Sequence, residues 1–290
     1  MFIDANGQKW FKGNLHAHTT NSDGRRAPED VIKLYADADY DFLALTDHWR
    51  YQGMAQKEHM LLLSGCEYDT GSDPRDGIIH IVGIGMARQP ELTAVPRPAA
   101  QAMIDAINGC GGLAILAHPA WSLNMPEHIR MLRGLAGTEI YNSVSDLPHS
   151  ARPYSGLVVD QLACQDYLLP CFAADDSHFY DGEETKSYIM VRCESCTPAA
   201  LMAAIRRGDF YATQGPQIRL EMKEDRLEVT CTPAEHIVFF SNVVYSNHCS
   251  SSGHGLTAAV YPFSGPERFI RVEVTDSQDR TAWSSPVRRS

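Results

Sequence analysis

The sequence predicts an α/β protein in which strands and helices alternate around a barrel or barrel-like closed sheet, followed by a small all-β, sandwich-like domain. Three observations carry this reading. Seven short β-like runs lie between Lys9 and about Tyr188, with helical patterns between several of them. The polar residues suited to chemistry gather at the C-terminal ends of those runs, the face on which α/β barrels assemble their sites. Beyond Pro216 only short alternating segments remain, separated by turn-formers.

In chain order the β-like runs are WFKGNLHAH, DFLALTDH, HMLLLSGCEY, GIIHIVGIG, GGLAILAHP, GTEIYN and LPCFAADDSH. Pro28 opens a helix at its first-turn position, and Val31, Leu34, Tyr35 and Ala38 give the i, i+3, i+4, i+7 stripe of a buried face. Ala100, Met103, Ile104 and Ile107 repeat the stripe, and the glycines from Gly109 to Gly112 stop it. Thr197 reads as an N-cap with Pro198 behind it, Leu201, Ala204 and Ile205 as an apolar face, and Gly208 as the stop. The segments IRLEM, RLEVTCT, HIVFFSN, VVYSN, AAVYPF, FIRVEVTD and TAWSSPV then predict strands. The expected division is residues 1–216 for the barrel and 217–290 for the β domain, with no internal repeats or low-complexity tracts.

Composition narrows the function. The 290 residues are 44% apolar and 21% charged, the balance of an ordinary globular protein. The net charge of −11 argues against a nucleic-acid coat or a membrane-surface protein. No apolar run is long enough to cross a bilayer, and MFIDANGQKW lacks the features of a secretory signal, so a cytoplasmic location is expected. Eight cysteines are scattered along the chain. Cys193 and Cys196 form a CxxC, which suits a zinc knuckle or a redox pair, but no second pair accompanies it and reduced structural thiols are the favoured reading.

His16 and His18 end the first run as HAH, and side chains at i and i+2 on a strand share a face. Ser22-Asp23-Gly24 then supplies a carboxylate in a turn. In Thr46-Asp47-His48 only one of the last two residues enters the barrel mouth. His48 is the better ligand, which leaves Asp47 to fix a neighbouring imidazole. Glu67 follows an apolar run, while Cys66 faces the core. His80 lies inside an apolar run, His118 precedes Pro119 at a strand end, and Asp176 and His178 share a face in DDSH. Each of these signals also has a bland explanation, such as a satisfied core histidine or a surface charge. Their conjunction on one side of one barrel points to a cluster of divalent cations. The other histidines (59, 128, 149, 236, 248 and 254) follow no such pattern and read as ordinary residues.

These motifs, in this order, resemble the polymerase-and-histidinol-phosphatase (PHP) superfamily of metal-dependent phosphoesterases over roughly residues 10–190. The segment from Gly208 to Pro216 and the β tail resemble a subgroup with a small C-terminal β domain. The resemblance implies a distorted seven-stranded (β/α) barrel with up to three metals; two to three divalent ions are expected, and mixed imidazole and carboxylate ligands without thiolate suit Mn, Fe or Zn. It assigns His16, His18, Glu67 and Asp176 to one ion. Shared Glu67 with His80 and His118 would hold a second, and Asp23, His48 and His178 a third. Glu67, Asp176 and His178 are then the expected catalytic residues.

Two ions bridged by Glu67 would hold a shared hydroxide as nucleophile, and three ions would leave a cationic mouth in an acidic protein. The expected partner is a small anionic phosphoester, a phosphomonoester or phosphodiester. A membrane is excluded, and nucleic acid is expected only as a small nucleotide substrate. Arg25, Arg26 and Arg50 could clamp a phosphate, with solvated loop positions as the plainer reading, and Asn142 and Glu139 are further candidates for substrate contact. Two alternatives remain at this point: hydrolysis of a carboxylic or carbamic ester on the same metals, and a ligand-binding module with a structural metal barrel.

Overall fold

The computed structural model describes residues 1–57, 59–71 and 77–288. It is a mixed α/β fold of large sheets and few helices. Among the described residues, strands Lys9–Asn14, Phe42–Ala44 and Met60–Leu63 pair in parallel within a thirteen-stranded sheet. A second, five-stranded sheet takes Gly65–Asp69, His80–Ile84, Leu113–Leu116, Leu135–Asn142 and Cys171–Ala174 in chain order. Two isolated parallel bridges link neighbouring edges, His48 with Glu67 and Ala17 with Ser177. Gly65 sits where the third run passes from one sheet to the other. A Cβ there would lie 2.4 Å from the Leu45 carbonyl oxygen, so the close approach requires glycine.

The period-two alternation of these strands sorts their side chains into separate cores. Phe42, Ala44, Leu61, Leu63, Val82, Ile84, Leu113, Ile115, Ala117 and Phe172 belong to one buried cluster. The intervening residues Leu43, Leu45 and Leu62 pack with helix Pro28–Asp37, and Ile81, Ala114 and Leu116 with helix Ala100–Gly109. The second of these helices buries the expected stripe of Ala100, Met103, Ile104 and Ile107. The first is rotated by about one position: Val31, Ile32, Tyr35 and Ala36 are buried, and Leu34 and Ala38 only half-buried. The Tyr35 hydroxyl, buried in both patterns, donates to Asp175 and meets Asn14 and Ser177.

Helix Pro198–Arg207 is capped as expected, by the Thr197 side chain at its start and left-handed Gly208 at its end. Just before it, the thiols of Cys193 and Cys196 are free and pack half-buried against the central core.

Alternating strands and helices lead one to expect a mostly parallel sheet, which is not what forms. Strand His80–Ile84 runs antiparallel to both of its neighbours. Strands Tyr188–Arg192 and Phe210–Thr213, absent from the sequence reading, extend the larger sheet by antiparallel pairing beside Lys9–Asn14. Phe210–Thr213 in turn pairs with Thr281–Trp283, so the C-terminal strands continue the same sheet. Their apolar core includes Trp10, Met190 and Tyr211 as well as Leu227, Val229, Ile237 and Val272.

The segments RLEVTCT and HIVFFSN form one long strand, Arg226–Ser241, whose register slips beside Pro233, a residue with no N–H for the ladder. VVYSN is not a strand, and Val244 is fully exposed. Among the described residues, no helix is long and apolar enough to cross a membrane.

Candidate metal centre

Most of the predicted ligands lie just past strand ends, where the backbone leaves its ladder. Trp49, immediately after His48, has φ 58°, His118 has φ 28° and Asp176 has φ 53°, left-handed conformations that cost non-glycine residues on the order of 1–3 kcal/mol each. His80 instead begins its strand. Because that strand runs antiparallel to its neighbours, its N-terminal end arrives where the other strands finish.

All nine predicted donors meet at this end. The Nε2 atoms of His16 and His18 stand 3.2 Å apart. Asp176 Oδ1 lies 3.0 Å from the first and 3.1 Å from the second. Glu67 sits at the centre. Its Oε2 is 3.3, 3.1 and 3.2 Å from His16 Nε2, His18 Nε2 and His48 Nδ1. Its Oε1 is 2.7 Å from His80 Nδ1 and 3.6 Å from His118 Nε2.

Asp23 is at the rim, 3.5 Å from both His18 Nδ1 and His178 Nε2 and 3.7 Å from His48 Nε2. Three overlapping sets have ligand atoms within 4.8 Å of one another: His16, His18, Glu67 and Asp176; His18, Asp23, His48 and His178; and His48, Glu67 and His80. His118 stands slightly outside the last set.

Several imidazoles are aimed from behind. Nδ1 of His16 donates to Glu139 Oε1 at 2.7 Å, and Nδ1 of His178 to the Asp176 carbonyl at 2.7 Å. Nδ1 of His18 and of His118 meet Ser22 and Ser122 hydroxyls, each four residues further along the chain. Each contact turns the opposite nitrogen, Nε2, toward the cluster, the arrangement by which proteins fix the tautomer of a metal-ligating histidine.

Burial alone would raise the Glu67 carboxyl, but His16, His80, His48 and His118 hold it well below the usual range. His16, His178 and His18 do the same for Asp176. Burial lowers the imidazole of His48. His16 is raised despite burial by Asp176, Glu67 and Glu139, and His178 is pushed up to about 9 by Asp176 and Asp23.

The remaining candidates separate. Asn142 and Glu139 are buried beneath the cluster. Asn142 Nδ2 donates to Glu139 at 2.8 Å and to Asp176 at 3.1 Å, and Glu139 also accepts the His118 backbone N–H. Arg25, Arg26 and Arg50 are exposed and do not line the cavity above the cluster. Arg25 lies over the Phe179 ring and Arg26 over Tyr180. Asp47 does not touch an imidazole: it accepts from Thr19 N–H, Thr19 Oγ1 and Ser22 Oγ, so it holds the turn that carries Asp23. Gly24 closes that turn so tightly that a Cβ would lie 2.5 Å from the His18 carbonyl.

The cavity is about 340 Å³. Besides the cluster, it is walled by Trp121, Val144, Ser145, His149, Ser150 and Phe179, none of which the sequence reading singled out. Trp121 stands 4.9 Å from the His118 ring, and His149 stacks on Phe179 at 4.1 Å.

No family model matches the sequence, and no curated protein matches it. The fold matches solved structures. One is a two-domain protein containing a predicted PHP-like metal-dependent phosphoesterase from Bacteroides vulgatus, at 16% identity and TM-score 0.57 over 98% of this chain and 97% of that one. A candidate metal-dependent phosphoesterase from Bifidobacterium adolescentis matches at 16% identity and TM-score 0.43, over 57% of this chain and 87% of that one. An amidohydrolase from Chromobacterium violaceum, bound to sulfate and without metal, matches at 18% identity and TM-score 0.45, over 59% and 89%.

Proposed function

We propose that this chain, which shares its fold over nearly its whole length with a two-domain protein containing a predicted PHP-like phosphoesterase, is a metal-dependent hydrolase of phosphoesters. One observation carries the proposal: nine imidazoles and carboxylates converge in one cluster, seven of them lining one cavity, in a way that protein contacts leave unfinished. His48 Nδ1, His80 Nε2 and Asp176 Oδ1 are buried with no hydrogen-bond partner among the described residues. A buried polar atom without a partner costs on the order of 1–3 kcal/mol, and a coordinated cation would satisfy these atoms.

The donor chemistry fits that reading. Imidazole and carboxylate without thiolate suit Mn, Fe or Zn. His16, His18, Glu67 and Asp176 would hold one ion, and Asp23, His48 and His178 another. Glu67 with His80 and His118 would hold a third. When bound, such ions activate water, polarise the scissile centre and neutralise charge on the leaving oxygen.

The chain's own residues do the rest. Glu139 keeps the His16 proton on Nδ1, and Asn142 holds the Asp176 carboxylate in place. Asp47 steadies the Asp23 turn. We read the strands formed by the seven β-like runs, with the two bridges between the sheets, as a distorted seven-stranded barrel with the site at its mouth, and residues 217–290 as its β domain. A cationic mouth in a chain of charge −11 favours a small anionic substrate.

Metal analysis of protein purified without chelator, followed by a panel of phosphomonoesters and phosphodiesters, tests the proposal. Two to three equivalents of metal and chelator-sensitive turnover are expected. Metal that cannot be raised above trace by reconstitution would overturn it.

A further inference from the structure

One wall of the cavity contains none of the nine predicted donors. Residues 143–153 form a loop whose ends close on each other: the Asn142 N–H donates to the Pro153 carbonyl at 3.0 Å and the Ser155 N–H to the Ile140 carbonyl at 2.8 Å. Its middle supplies His149 and Ser150 to the cavity. Asp181 Oδ1 lies 3.3 Å from His149 Nε2, and His149 Nδ1 and the Ser150 hydroxyl carry no partner among the described residues.

Both ends of this loop are held by the C-terminal strands. Tyr141 and Tyr154 are bridge partners at its neck. Tyr141 stacks on Trp283, with centroids 5.1 Å apart and planes 21° apart. The Tyr154 hydroxyl donates to Glu273 and accepts from Arg271 Nη2 at 3.2 Å. Glu273 and Trp283 are themselves directly paired across strands Phe269–Thr275 and Thr281–Trp283. The four residues thus form a closed joint between two pairs of neighbours. Arg271 is fully buried and anchors that joint by a two-pronged contact with Asp160, at 2.6 and 2.8 Å. A buried charge so paired is costly to disturb, which makes the joint rigid.

We propose that residues 143–153 are the substrate-contacting loop of this site, with His149 as a contact group, and that the C-terminal strands set the loop's position through Tyr154 and Trp283. This rests on the phosphoesterase reading for the identity of the substrate. The loop contributes none of the nine predicted donors, so we assign it the organic part of a phosphoester, and inorganic phosphate should not depend on it. Tyr154 and Trp283 act as positioning residues.

The test compares His149→Ala, Tyr154→Phe and their double variant in the metal-loaded full chain. The readouts are KM for 4-nitrophenyl phosphate, Ki for inorganic phosphate and metal content. Each single variant is expected to raise KM about tenfold, the effect of one lost hydrogen bond. Ki and metal content should stay within about twofold of wild type. The double variant should be no worse than His149→Ala alone, because both changes remove the same contact.

Unchanged KM in His149→Ala, a parallel rise in Ki, or effects that multiply in the double variant would each overturn the proposal. If Tyr154→Phe does not fold, Trp283→Leu breaks the opposite corner of the joint and takes its place. Should metal-loaded wild type cleave no phosphoester, the reading of the reaction is what has failed. Hydrogen exchange then judges the joint: faster exchange at residues 143–153 in Tyr154→Phe, with strand amides unchanged, supports it, and unchanged exchange overturns it.

Discussion

Glu67→Gln is the perturbation the site geometry makes most informative. Both carboxylate oxygens of Glu67 are engaged, Oε1 toward His80 and His118 and Oε2 toward His16, His18 and His48. Five imidazoles therefore face one anionic group, and burial of the side chain leaves water no part in screening it. Glutamine preserves the shape but removes the charge, and it places an N–H donor where the two proposed cation sites need an acceptor. Each site keeps its histidines, so the fold should survive while the shared anchor is lost. Removing one interaction that acts in the transition state lowers rates by about 10²–10³, or about 3–4 kcal/mol. Loss of a shared ligand should cost at least that and should lower metal content too. The assay is steady-state hydrolysis of an aryl phosphate with metal analysis of the same samples. His254→Ala, an exposed position on strand Ser250–Pro262, is the matched control and should change neither readout. Near-normal turnover with full metal in Glu67→Gln would refute the shared-ligand reasoning.

Chelation should lower the melting temperature by on the order of 5–10 °C, since free metal at a hundred times its dissociation constant stabilises by about 2.7 kcal/mol. Identical melting curves with and without chelator would contradict this. Gly24→Ala should destabilise the protein by about 1–3 kcal/mol and reduce metal content, because the new Cβ collides with the His18 backbone. Thermal melts and metal analysis check it. In the chelated protein His178 is held above its ordinary value of 6.5, at about 9. Its stabilising contribution is therefore complete below about 6.5 and is lost as pH rises toward 9, a loss on the order of 1–3 kcal/mol. Urea unfolding at both ends of that window should show the decline in wild type and a flatter response in His178→Asn.

What the sequence made legible was the set of donor residues and the order of the elements that bring them together. HAH, TDH and DDSH place their ligands at strand ends, and an abrupt end to an apolar run is a local signal. His16 and His18 meet even though both lie beyond the strand ending at Asn14, because the Ala17–Ser177 bridge keeps the backbone extended there. Asp47 does not line the cavity, and it meets Thr19 and Ser22 rather than the imidazole expected of it. Its partners, Thr19 and Ser22, lie 28 and 25 residues away along the chain, so nothing near Asp47 reports them. Ser22 and Ser122 could have been found, since each follows its histidine by four residues, the spacing of a turn folding back on itself.

The direction of strand His80–Ile84 was hidden for a related reason. An apolar run of that length reads the same whether it pairs in parallel or antiparallel, and only the connection decides. Only ten residues separate strand Gly65–Asp69 from strand His80–Ile84, too few for the crossover that parallel pairing requires, so the next strand runs the opposite way. That reversal is what makes His80 useful. In a parallel strand, a residue at the N-terminal end would sit at the far side of the sheet from Glu67. Here it stands 2.7 Å away.

His149 was dismissed for the complementary reason: a loop histidine has no periodicity to betray it, and this loop is placed by Glu273 and Trp283, more than a hundred residues downstream. The clustered donors were readable because the local segment carrying each one also leads to the site. The wall facing it was not, because its neck is also held by strands that lie beyond residue 217 in the sequence.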